Sequence, residues 1–153
     1  MIFSRVTLLP CSFERAVAEV KSTRLLHYIA HPLVEFVPHD PPALPEYWGE
    51  ETYWCKLKYF GAIPAGLQAI VISFPKPEEG SFILCDRGHS RLMPVWNHTI
   101  TLMATDTGVR YEDNVELSAG VLTPIVGFFA LLFFAHRQRR WHKLIESGFR
   151  YDA

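Results

Sequence analysis

Ten uncharged residues, Val126 to Ala135, run directly into a cluster of Arg, His and Lys in the stretch VGFFALLFFAHRQRRWHKLI, residues 126–145. A segment this apolar has to be buried, either in a bilayer or in the protein's own core, and that choice limits every fold open to the rest of the chain. Thr123-Pro124 marks a helix start, with Thr as capping side chain and Pro at the first helical position, where its missing N–H costs nothing. From Pro124 to the residue before His136 there are twelve residues, which at a 1.5 Å rise span about 18 Å against a hydrocarbon core of about 30 Å. The reading is therefore a core helix, with no stable membrane insertion.

Apolar on all sides in its first half, this helix needs cover on more than one side. Phe128, Phe129, Leu132 and Phe133 are expected to face one neighbour, and Val126, Ala130 and Phe134 another. Trp141, Leu144 and Ile145 continue a buried side in the second half. Arg137, Arg139, Arg140 and Lys143 are then left for solvent and for the negative end of the helix dipole.

With 153 residues, about half of them hydrophobic, the chain has the material for one domain with a sizeable core. Residues 1–148 are assigned to that domain and 149–153 to a C-terminal tail. A formal charge of −1 and a pI near 6.6 argue against nucleic acid or an anionic membrane as partner, since both select a basic face. Cys11, Cys55 and Cys85 are odd in number and widely spaced, which points to reduced thiols in a cytoplasmic protein rather than a disulfide framework or a zinc site. No phosphate-binding glycine loop, serine nucleophile elbow or metal motif is present in the sequence, and nothing in it calls for a cofactor.

Upstream of the long helix the pattern is rich in strands. Residues 2–9 read as a first strand. Ser12 caps a helix that His31-Pro32 ends, with Phe13, Val17, Val20 and Leu25 as its apolar stripe. Strands follow at 33–37, 52–60, 67–74, 81–87, 95–105 and 109–117. The Pro-rich PHDPPALPEYWGEE between the second and third reads as a hinge or lid loop. This order predicts an α+β fold with helices on one face of an antiparallel sheet.

The last hairpin carries the most chemistry. With its turn centred on Asp106-Thr107, alternation puts Trp96, His98, Ile100 and Leu102 on one face with Tyr111, Asp113, Val115 and Leu117. His98 and Asp113 are the polar exceptions there, in diagonal positions within side-chain reach. Such a pair serves a ligand or catalysis, or else it is internally satisfied and only organises the core.

The residues VWNHTITLMATDTGVRYEDNVELSAGVLTPIVGFFALLFFAHRQRRWHKL, with W-x-H, Y-x-D, S-A-G-x-L and R-x-R-R-W, resemble the C-terminal half of the START-like (SRPBCC) helix-grip superfamily. That superfamily includes polyketide cyclases and Bet v 1-type lipid binders. GAIPAG between two strands resembles its bacterial members. The resemblance implies an antiparallel sheet of six to seven strands gripping the last helix around an apolar cavity. Trp96, His98, Tyr111 and Asp113 would stand at the motif positions, and Phe128, Phe129, Leu132 and Phe133 on the cavity side of the helix. The expected ligand-binding set is thus these eight with Ile100, and the catalytic candidates are His98 and Asp113. A small hydrophobic molecule is the expected partner. A cyclase or dehydratase using the His–Asp pair and an interaction module without ligand remain the alternatives, with a homodimer left open.

Overall fold

The computed structural model describes residues 1–152. Seven strands form one antiparallel sheet in the order β1-β7-β6-β5-β4-β3-β2, where β1 is Ile2–Leu9, β2 Val34–Asp40, β3 Thr52–Tyr59, β4 Ile63–Ser73, β5 Ser81–Ser90, β6 Val95–Ala104 and β7 Val109–Ser118. Helices α1 (Phe13–Lys21) and α2 (Thr23–Ala30) carry the chain between the edge strands β1 and β2. A short 3-10 turn, Gly120–Leu122, leads into α3, Thr123–Glu146. The sheet wraps its concave face around α3, which is the α+β helix-grip arrangement expected. Bulges between Pro38 and Asp40 and between Lys56 and Lys58 supply curvature where the outer strands bend toward the helix.

Strand faces follow the alternation. On β6 His98, Ile100 and Leu102 are buried, and on β7 Val109, Tyr111, Asp113, Val115 and Leu117. His98 is opposite Val115 and Ile100 opposite Asp113, so His98 and Asp113 are diagonal neighbours on the inner face. The hairpin between these strands presses on the end of β1 at Gly108, where a Cβ would fall 2.3 Å from the Leu9 carbonyl oxygen. Only glycine fits there.

The single helix read over residues 13–30 is in fact two. Ser22 breaks it with an extended backbone, and its N–H bonds to Glu19 O. The break makes room for the Pro-rich loop: Thr23 N–H donates to Glu46 O at 3.0 Å and Trp48 N–H to Lys21 O at 2.9 Å. Gly49 N–H meets the Tyr53 hydroxyl at 2.8 Å. The far end of the loop expected to be a hinge or lid is therefore docked as part of the wall, with Leu44 and Trp48 packed against the core.

The start of α3 also departs from expectation. Thr123 Oγ1 accepts from Ala119 N–H and donates to Gly120 O, so it closes the preceding turn instead of capping forward, and Leu122 holds the N-cap position. Two apolar clusters result. One joins α1, α2, Trp141 and Leu144 to Leu102, Tyr111 and Ile70. The other joins Ala130, Phe133 and Phe134 to Val115, Leu117 and Leu57. Residues 149–151 lie against the first: Phe149 N–H bonds to Leu144 O, Arg15 stacks over the Phe149 ring, and Tyr151 OH donates to Glu19.

Candidate ligand pocket

Between the two clusters, lined by α3, α2 and the inner faces of β2 to β6, lies a pocket of about 110 Å³. Its walls are mainly aliphatic and aromatic, Ile29, Ile70, Ile100 and Phe133 among them. Gln68, Asp86, His98 and Arg137 supply its inner polar groups. Each comes from a different element, β4, β5, β6 and α3, and the sheet brings them together: Asp86 is the register partner of His98. A Cβ on Gly88 would lie 3.0 Å from Gln68 Nε2 and 3.1 Å from an Asp86 carboxylate oxygen.

Asp113 anchors the wall behind the pocket. It is fully buried and accepts three hydrogen bonds, from His98 Nε2 at 2.7 Å, the Tyr111 hydroxyl at 3.0 Å and Gln138 Nε2 at 3.1 Å. Burial by itself would raise this carboxyl. The hydrogen bond and charge of His98, helped by Arg137 and Gln138, outweigh it and hold Asp113 below the usual carboxylate range. Burial drives His98 the other way, below its ordinary value, against the pull of Asp113. We assign His98 as neutral at pH 7 with its proton on Nε2, because Asp113 needs a donor there; Nδ1 is then a free lone pair. Tyr111, desolvated beside that carboxylate, has its hydroxyl pushed far above the normal phenol range and so keeps the proton it donates to Asp113.

Asp86 and Arg137 were not singled out in the sequence. Asp86 Oδ1 accepts the Val71 N–H at 2.8 Å, in a gap of the β4–β5 ladder between the pairs Ala69–His89 and Ile72–Asp86. It is only partly buried and lines the pocket, yet desolvation raises its carboxyl to about 7 despite Val71, Arg137 and Arg87. Arg137 is 5% exposed, not solvent-facing as expected. Its guanidinium lies 5.1 and 5.7 Å from the Phe134 and Phe133 ring centroids. Its Nε has no hydrogen-bond partner, and no carboxylate among the described residues stands within ion-pair distance of it. It approaches the Tyr111 hydroxyl without the geometry of a hydrogen bond. Helical spacing was the available signal, since 137 falls three and four residues after Phe134 and Phe133 and four before Trp141. For Asp86 the signal was alternation with Leu84 and Gly88.

Of the residues expected to bind ligand, Trp96, His98, Ile100, Phe129 and Phe133 line the pocket. Tyr111 and Asp113 lie one layer behind it. Phe128 and Leu132 face away, 64% and 53% exposed, because α3 turns Val126, Phe129, Ala130, Phe133 and Phe134 inward instead. With Val121 and Ile125 they form an outward apolar stripe at helical spacing. The long helix thus has cover on one side only over its first half. From Gly120 to Glu146 it is long and apolar enough by length and composition to cross a membrane, and 28% of its most apolar window is buried. Counting uncharged residues understated its reach. No group of three or more His, Cys, Asp or Glu side chains is arranged to hold a metal among the described residues. Cys55 and Cys85 are buried free thiols, and burial pushes Cys55 up to about 11, so it is no nucleophile at neutral pH.

The architecture has counterparts among solved structures. A protein from Chromobacterium violaceum aligns over 95% of this chain and 96% of its own, with a TM-score of 0.64 and 15% identity. A START superfamily protein from Mycobacterium smegmatis aligns over 95% and 97%, with 0.57 and 10%. Ginseng major latex-like protein 151 from Panax ginseng aligns over 94% and 95%, with 0.52 and 13%. At such identities the likeness is one of fold: the chain is a START-type helix-grip domain. By sequence, residues 37–145 match the family described as "Domain of unknown function (DUF8410)", and the chain belongs to that family. No curated protein matches it.

Proposed function

We propose that the protein binds a small, largely apolar molecule between α3 and the sheet. The observation that carries this reading is the pocket itself: apolar walls with a few polar groups converging at one place are the common form of small-molecule sites. The ligand's apolar body lies along Ile70, Ile100, Phe129 and Phe133, and its polar end reaches His98, Asp86 or Arg137. Asp113 and Tyr111 act from behind, fixing the ring of His98. Native mass spectrometry of freshly purified protein tests the proposal. A retained small molecule, released by denaturation and lost on blocking the pocket with Ala130→Trp, is the expected result; a pocket that never takes up apolar probes refutes it.

One observation favours a second reading, an enzyme of the cyclase or dehydratase kind. His98 is neutral, is bonded through Nε2 to a charged Asp113 and lines the pocket, which leaves Nδ1 unprotonated as a general base requires. If turnover exists, His98→Gln should lower it by about 10²–10⁴-fold while ligand affinity stays within about tenfold. Equal loss of affinity and stability would make the pair structural.

We place the protein in the cytoplasm as a water-soluble domain, and propose that the outward stripe of Val121, Ile125, Phe128 and Leu132 is covered by a second copy, since a two-fold axis lets one stripe cover itself. Sedimentation velocity across a concentration series decides; a monomer throughout, or carbonate-resistant membrane association, refutes it.

A further inference from the structure

The unusual member of the pocket is Arg137. A guanidinium offers five N–H donors in a planar fork and stays charged at every accessible pH. Burying it without partners is costly. Here it is nine-tenths buried and lines the pocket, Nε has no partner, and no carboxylate of the described residues pairs with it. The rings of Phe133 and Phe134 hold it in place, but an aromatic face supplies no hydrogen-bond acceptor. Asp86, the carboxyl that also lines the pocket, is protonated through much of the range below pH 7 and offers a donor rather than a competing charge. Gln68 Oε1 is a second buried group with no partner, an acceptor open to a ligand hydroxyl or N–H.

We propose that the pocket's ligand is a compact carboxylic acid, its carboxylate docked on the Arg137 fork and its apolar body against Ile70, Ile100 and Phe129. A planar carboxylate takes two parallel N–H bonds from a guanidinium, a bidentate acceptor that the nearby Tyr111 hydroxyl cannot supply. The size follows from the cavity. At about 110 Å³ it is smaller than the roughly 150 Å³ engineered cavity that accepts benzene, so it admits a body of about one ring and is too small for a long acyl chain. This inference rests on the binder reading above.

The test compares three probes of one shape by titration calorimetry at about pH 6: 3-phenylpropionate, 3-phenylpropanamide and 3-phenylpropan-1-amine. The acid is expected to bind at least about tenfold more tightly than the amide, as charge-assisted hydrogen bonds imply, and the amine most weakly. Arg137→Met should abolish the preference for acid while retaining the amide, and its melting temperature should hold or rise, since an unpaired buried charge is removed. Arg137→Lys keeps the charge without the fork and should keep part of the preference. Equal binding of acid and amide to the wild type, or an acid preference that survives Arg137→Met, overturns the assignment and leaves the pocket as a binder of neutral molecules. Loss of the amide from both variants makes Arg137 structural and overturns it as well. If neither acid nor amide binds the wild type, the binder reading falls together with it.

Discussion

Replacing Asp86 by Asn should stabilise the protein at pH 8 and change it little at pH 4. The carboxyl is raised from 3.8 to about 7 in the folded protein by desolvation, while in the unfolded chain it titrates normally. Between these values the native state holds a proton that the unfolded state has released, so stability falls as pH rises from about 4 to about 7 and is level above. Three units at 1.36 kcal/mol each set an upper limit of about 4 kcal/mol. Asp86 is only partly buried, which lowers the expectation to about 2–4 kcal/mol. Asparagine keeps the oxygen that accepts the Val71 N–H and carries no charge at any pH. Urea unfolding followed by tryptophan fluorescence, in a matched pH series on both proteins, measures the difference. Subtracting the curves isolates Asp86, because His98, Asp113 and His136 titrate in both. A difference that is flat from pH 4 to 8, or an Asn variant less stable at pH 8, would show that the folded protein accommodates the charged carboxylate, and the desolvation argument would be wrong.

Asp113→Ala should cost about 3–5 kcal/mol at pH 7, because it strands three buried donors at once. Its carboxyl is held low, so the gap between wild type and variant is present above the normal carboxylate pKa and should narrow as pH falls through the lowered one; a gap unchanged down to acid unfolding would refute the charged assignment. Phe134→Ala should cost about 3–5 kcal/mol, since that ring is fully buried against Phe3, Trp96 and His98. Phe133→Ala should cost less, about 2–3 kcal/mol, because both rings line the pocket but Phe133 keeps 5% exposure where Phe134 keeps none, and it should bind an apolar fluorophore better than wild type; thermal melts and probe titration check both, and equal losses without a gain in probe binding would mean a solid core.

Several features were legible in the sequence because a simple period expressed them. One-sided burial of β6 and β7 shows as alternation, and alternation with a turn at Asp106-Thr107 settles the register that puts His98 diagonal to Asp113. The number of strands and the Pro-limited end of α2 rested on equally local signals. Tertiary structure decided the rest. A helix apolar on every side has no direction of its own, so only the curvature of the sheet could turn Phe129 and Phe133 inward and leave Phe128 and Leu132 outside. Ser22 breaks a helix because a loop more than twenty residues downstream takes its place in the hydrogen bonding. Arg137 and Asp86 acquire their meaning from depth: charged residues read as solvent-facing in sequence because water is the cheapest partner for a charge. A fold that buries one anyway is visible only when the surrounding surfaces are closed over it.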